Sequence, residues 1–216
     1  MNTFFSVNLQ LLQGFLATIQ IFVITLLIAL PAGLIIAFGS MSHFYPLRKA
    51  VRMLVWVVRG TPLMLQLIIM YNGPGLLFGT PIFNAYTATY ITFGLNYACY
   101  FSEIYRGGIE SIAQGQYEAG QVLGMTRRET FFHVILLQVV KRIVPPMSNE
   151  IITLVKDTSL ARIVTYYELI YIAQSMIRGK GLLWPLFYSG VFYLVFTALL
   201  TFIFGKIEKK LSYFKA

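Results

Sequence analysis

Only 12% of the 216 residues are charged, so the side chains able to do chemistry are few. Glu150, Thr153 and Asp157 stand at i, i+3 and i+7, which places them on one face of a continuous helix. Two carboxylates and a hydroxyl on an otherwise apolar helix suit the ammonium or guanidinium group of a small ligand. Arg59 and Gln66 interrupt a second apolar run, the first offering a cation to a carboxylate and the second hydrogen bonds. Ionisable groups at such depth are functional candidates by default. The competing reading is internal pairing, of Glu150 with Arg59 or of Asp157 with Lys156 or Arg162. Other chemistries lack their residues. The chain has no GxxxxGK[ST] phosphate loop, nucleophile elbow or zinc-binding motif. His43 and His133 lie far apart, and the single cysteine, Cys99, sits in an apolar stretch and reads as a small buried hydrophobe. No catalytic or metal site is expected, and the chain is not expected to be an enzyme.

The elements that carry these residues are long and apolar. Hydrophobic residues make up 57% of the chain, whereas a soluble domain carries about 25% charged residues. Surface-to-volume scaling would leave much of that apolar area in water, and a bilayer removes the conflict. The net charge of +9 sits in short clusters between apolar runs rather than in a stripe beside stacking aromatics, which argues against nucleic acid as a partner. No Lys or Arg precedes the first apolar run and no small-residue cleavage site ends it, so this run is expected to be retained rather than removed as a signal.

The pattern predicts an all-α, polytopic membrane protein forming one transmembrane domain over residues 1–216. Residues 1–14 are expected to lie in the interface, with spans one to three in 15–105: Phe15–Gly39 bent at Pro31, Val51–Tyr71, and Ala85–Tyr105. A polar loop of 106–142 follows. The fourth span, 143–159, is short and charged, opens on Pro145 and Pro146, and is a candidate for a broken or re-entrant helix. An amphipathic connection occupies 160–181, a fifth span 182–205, and a tail 206–216. Basic residues gather at Arg48, Lys49 and Arg52, at Arg106, Arg127, Arg128, Lys141 and Arg142, and at Lys206, Lys209, Lys210 and Lys215. The positive-inside rule then places the N-terminus outside and the C-terminus in the cytoplasm, although Arg162, Arg178 and Lys180 count against it.

Within the polar loop, Gln116–Leu123 reads as a short helix that Gly124 stops as a left-handed cap. Thr126 and Glu129 have capping-box spacing for a second helix, whose apolar face would be Phe131, Phe132, Ile135 and Leu136. The loop also resembles a known pattern. Glu118-Ala119-Gly120, then Gly124, then Phe132 and Val134, are similar to the EAA loop of ATP-binding cassette (ABC) importer permeases, with Gly120 in place of the usual second alanine. Arg59-Gly60-Thr61-Pro62 with Gln66, Glu103 to Ile109, and Lys156 to Leu160 resemble, in the same order, motifs of the polar amino-acid branch of that family. Together with the first and fifth spans, the resemblance covers nearly the whole chain.

The resemblance implies a type I importer permease fold with five spans and alternating access driven by a separate ATPase. It implies ABC ATPase subunits, a second permease subunit (a copy or a paralogue), an extracellular or periplasmic binding protein and a polar amino acid as partners. ATP and magnesium would bind the ATPase, leaving this chain without a cofactor. Glu118, Ala119, Gly120 and Gly124 would couple to the ATPase, and the expected location is the bacterial inner or plasma membrane. The alternative is a secondary transporter or channel that needs no ATPase, for which an internal repeat would be expected; none is evident.

Overall fold

A computed structural model describes residues 2–80 and 82–212, without the side chains of residues 2 and 3, so Lys215 of the basic tail lies outside the described residues. The described residues are helical, with no strand among them. The helices are α1 (Asn2–Ser40), α2 (Tyr45–Gly60), α3 (Leu63–Phe78), α4 (Ala85–Glu110), α5 (Gln114–Val122), α6 (Arg127–Thr130), α7 (Leu136–Asp157), α8 (Leu169–Lys180) and α9 (Trp184–Leu211). A π-helical turn, Phe131–Ile135, joins α6 to α7, and a 3-10 turn, Thr158–Val164, follows α7.

The segment expected to lie in the interface is continuous with the first span. α1 is one helix of 39 residues that runs through Pro31 without interruption. By length and composition, α1, α9 and the continuous helical stretch Arg127–Val164 can each cross a membrane, and α2 with α3 adds a fourth as a broken span. The second span, expected over Val51–Tyr71, is two helices bent by 103°. Pro62 is the physical cause. It lacks an N–H and forces the preceding residue out of the helical region, and Thr61 is extended at φ −117°, ψ 147°.

α4 is the long helix most enclosed by protein, packing along α1 more extensively than any other pair of elements does. Its buried hydroxyls bond back along the helix: Thr89 to the Ala85 carbonyl, Thr92 to Ala88 and Ser102 to Cys99, each at 2.7 Å. Polar side chains satisfied in this way are compatible with an apolar surround. Close approach rests on glycines: a Cβ on Gly94 would meet Ile28 Cγ2 at 2.7 Å, and one on Gly33 would meet the Ala98 carbonyl oxygen at 3.0 Å.

Pro145 and Pro146 do not open the fourth helix. They lie well inside α7, on its exposed side, because the helical stretch is started much earlier by the Thr126 cap. The connection 160–181 resolves into the 3-10 turn and α8. Glu168, completely buried, caps α8 by accepting the N–H groups of Ile170 and Tyr171 at 2.7 and 2.6 Å.

Candidate substrate chamber and the helical corner below it

The α5–α6 corner is built from local sequence. α5 ends in a Schellman motif: the Met125 N–H reaches the Gly120 carbonyl and the Gly124 N–H the Gln121 carbonyl, each at 3.0 Å, with Gly124 at φ +73°. The capping box forms as the spacing predicts. The Thr126 hydroxyl accepts the Glu129 N–H, and the Glu129 carboxylate accepts the Thr126 N–H at 2.8 Å and its hydroxyl at 2.7 Å. Those bonds hold the Glu129 carboxyl below the usual carboxylate range.

Gly120 is more than a tolerated small residue. A Cβ there would lie 2.6 Å from Thr130 Cγ2, so α5 and α6 meet closer than an alanine permits. Glu118 and Ala119 are exposed beside it. So are Val122 and Leu123, 88% and 77% exposed, which sequence reasoning did not single out. The expected apolar face is corrected in part. The π-helical turn shifts the register, so Ile135 and Val139 pack on Ile112 while Phe131 and Phe132 point outward. The corner is anchored from both sides, since the Arg142 guanidinium donates to the Ser111 carbonyl at the end of α4.

The second site lies at the break between α2 and α3. Ending α2 at mid-chain frees the carbonyls of Val57 and Val58. The Thr61 hydroxyl donates to Val57 O at 2.9 Å, and Gln66 Nε2 donates to Val58 O at 2.7 Å and to the Thr61 hydroxyl at 2.8 Å. Asn96 of α4 completes the set by donating to Gln66 Oε1 at 3.0 Å. The structure therefore gives Gln66 a different position from the one its polarity suggested. Its amide is engaged in holding the corner, and it faces a neighbouring cleft lined with apolar residues rather than the carboxylates.

Above the corner is a cleft of about 580 Å³ in which α7 supplies Glu150, Thr153 and Asp157, and the corner supplies Arg59. The single-face prediction for the three α7 residues holds. Among the described residues neither carboxylate is in an ion pair. Asp157 instead accepts the Tyr97 hydroxyl at 2.7 Å, while Arg59 approaches Glu103 at 3.6 Å and lies over the Tyr100 ring at 5.0 Å. The internal pairs weighed from sequence, Glu150 with Arg59 and Asp157 with Lys156 or Arg162, do not form. Tyr97, Tyr100 and Glu103 are additions that the sequence reading left out of the site. The spacing of Asn96, Tyr100 and Glu103, i, i+4 and i+7, was the available signal. Among the described residues there is no cluster of His, Cys, Asp or Glu able to hold a metal ion.

A bent membrane helix with its freed carbonyls recapped, set against a polar cleft, fits a membrane transport component. Comparison with known proteins agrees. Residues 29–213 match the family described as binding-protein-dependent transport system inner membrane component, and the chain belongs to it. It is a multi-pass membrane protein and a permease subunit of the ABC importer class, and the ATPase-independent alternative is not favoured.

Among its relatives, the L-cystine transport system permease protein TcyB of Bacillus subtilis (strain 168) is 36% identical over 209 residues, covering 94% of this chain and 87% of that protein. The arginine transport system permease protein ArtQ of the same organism is 34% identical over 217 residues, covering 98% and 99%. The glutamine transport system permease protein GlnP of Escherichia coli (strain K12) is 32% identical over 203 residues, covering 94% and 93%. In structure, the chain is similar to one in a crystal structure of an amino acid ABC transporter with histidines: TM-score 0.88, 28% identity, 96% of this chain and 97% of that one. The fold also matches an inward-facing MetNI methionine ABC transporter chain, with TM-score 0.71, 18% identity and coverage of 94% and 96%.

Proposed function

We propose that this chain forms half of the membrane pathway of an importer for a polar amino acid, driven by a separate ATPase. The observation that carries the reading is the cleft between α7 and the α2–α3 corner. It presents Glu150 and Asp157 free of ion pairs opposite Arg59, a charge pattern complementary to an ammonium group and a carboxylate on one small molecule. Thr153 adds a hydroxyl between them, and Gln66 acts indirectly by holding the corner that carries Arg59. Relatives named for cystine, arginine and glutamine support amino acids as the cargo.

α5 is the coupling helix in this reading. Exposed Glu118 and Ala119, with Val122 and Leu123, face a groove of the ATPase, while Gly120 and Gly124 give the corner its stiffness. A short helix fixed at its end transmits a push that a slack loop would absorb. ATP and magnesium belong to the ATPase, and this chain contributes no hydrolytic residues. A second permease subunit, identical or paralogous, completes the pathway, and a binding protein delivers the amino acid from outside. The N-terminus is outside and the C-terminus inside. Five spans result when α2 with α3 counts as one and α4, about 39 Å long at 1.5 Å per residue, counts as another.

The test is co-purification with a candidate ATPase followed by uptake in vesicles, offering arginine, glutamine and cystine. Glu118→Lys is expected to lose the complex or its ATPase coupling. A fully coupled mutant complex would remove Glu118 from the interface. Asp157→Asn and Glu150→Gln are expected to weaken binding of the transported amino acid about tenfold or more, the worth of a hydrogen bond to a charged group. Unchanged binding in both would remove the cleft as the substrate site.

A further inference from the structure

Two clefts meet at Arg59. The chamber of about 580 Å³ lies on one side, and a second cleft of about 460 Å³ lies on the other, lined by Arg52, Trp56, Glu103 and Arg106. Arg59, Gly60 and Tyr100 line both, so these three residues form the wall between them. The second cleft is lined by the C-terminal half of α2 and the last turns of α4, and α4 runs on from there to the α5–α6 corner.

The ion pairs at this wall are unequal. Glu103 is held by Arg106 through two parallel bonds, Nη2–Oε2 at 2.6 Å and Nε–Oε1 at 3.1 Å, and Arg106 also binds Glu110 at 2.6 Å. Forked pairs of this kind are the strong ones. Arg59 is the looser second partner of Glu103, at 3.6 Å with a 40% exposed side chain. A long, half-exposed pair contributes little. Its loss leaves Glu103 still neutralised by Arg106, and Arg59 keeps the Tyr100 ring as a support from which its guanidinium can turn to either cleft.

We propose that Arg59 reads the carboxylate of the cargo and that Glu103 is the built-in competitor that takes Arg59 back. This rests on the chamber being the substrate site. An amino acid in the chamber has its ammonium group held by Asp157 and Glu150 and draws Arg59 off Glu103 with its carboxylate. Release toward the coupling end returns Arg59 to Glu103 and closes the wall behind the cargo. Glu103 is a positioning residue here, acting through Arg59 without touching the cargo.

The experiment uses the transporter assembled with its ATPase, and measures amino-acid binding in detergent, uptake kinetics in vesicles, and ATP hydrolysed per molecule moved. The probe is whichever of arginine, glutamine and cystine the wild type takes up, together with its α-amide. Arg59→Gln is expected to weaken binding about tenfold, the size of one lost charged hydrogen bond, and to abolish the preference for the amino acid over its amide, with Arg59→Lys in between. Glu103→Gln is expected to do the opposite to binding: tighter Kd, slower turnover, and more ATP hydrolysed per molecule moved. Glu103→Asp lengthens the gap to Arg59 and should shift the same way by less, and it decides the matter should Glu103→Gln fail to assemble. Glu103 variants that weaken binding as Arg59→Gln does would overturn the exchange, since the pair would then only hold the pocket in shape. Glu103 variants with wild-type Kd and turnover would overturn it too. A loss of binding in Asp157→Asn beside unaltered Glu103 variants sinks this inference alone, whereas unchanged binding in Asp157→Asn and Glu150→Gln sinks the chamber itself.

Discussion

The α5–α6 corner and the α2–α3 corner both turn a helix sharply, and they do so by different means. The first is local. Its Schellman motif and capping box use residues 120–130, with partners no more than five positions apart. The second is stitched across the fold. Its break is set by Pro62, but its free carbonyls are recapped by Gln66, and Gln66 is itself held by Asn96, 30 residues further on. A locally built corner can act as a stiff handle that moves as one piece. A corner built from long-range bonds shares its geometry with whatever α4 and α7 do, which suits the wall of a chamber that must change shape.

Mutations can sharpen this contrast. The largest effect is expected for Gln66→Leu, which leaves the Asn96 amide without its partner and the Val58 carbonyl with only the long 3.4 Å bond from the Thr61 hydroxyl. At about 1–3 kcal/mol for each unsatisfied group, the whole protein should lose several degrees of thermal stability in detergent. A Tm equal to wild type would show that the corner does not depend on this bond set. Next is Gly120→Ala, whose added methyl meets Thr130; overpacking of this kind costs about 1–3 kcal/mol. Hydrogen exchange should quicken across residues 114–130, while α3 and α4 keep their protection. If the disturbance spreads to α3, the two corners are not independent.

Thr126→Ala should cost about 1 kcal/mol through loss of the cap, read as faster proteolysis between α5 and α6. The smallest effect concerns pH. The Glu129 carboxyl lies below its ordinary range because Thr126 binds its charged form, so its contribution is present at neutral pH and disappears as the pH falls through its folded-state value. The protection factors of the amides of residues 126–129, which take out the intrinsic pH dependence of exchange, should fall in acid in the wild type and stay level in Glu129→Gln.

What could be read in advance follows the same division. The α5 stop at Gly124, the capping box and the shared face of Glu150, Thr153 and Asp157 were legible because each depends on neighbours within seven positions. The apolar face after Thr130 was misjudged because the π-helical turn inserts a register shift that no 3.6-residue pattern contains. Proline favours a helix start, which Pro145 and Pro146 suggest by themselves, whereas a helix already begun upstream accommodates them on its exposed side.

The sequence by itself determined the solvent, the apolar helices, the α5–α6 corner and the candidate carboxylates, since composition, periodicity and capping act over a few residues. Only the tertiary structure decided that Arg59 turns to Glu103 rather than Glu150, that Asp157 takes the Tyr97 hydroxyl, and that Gln66 holds the corner instead of lining the chamber. Charge and hydrogen-bonding capacity leave several partners open to each of these groups. The choice among them falls to packing, which alone brings atoms tens of residues apart within 4 Å.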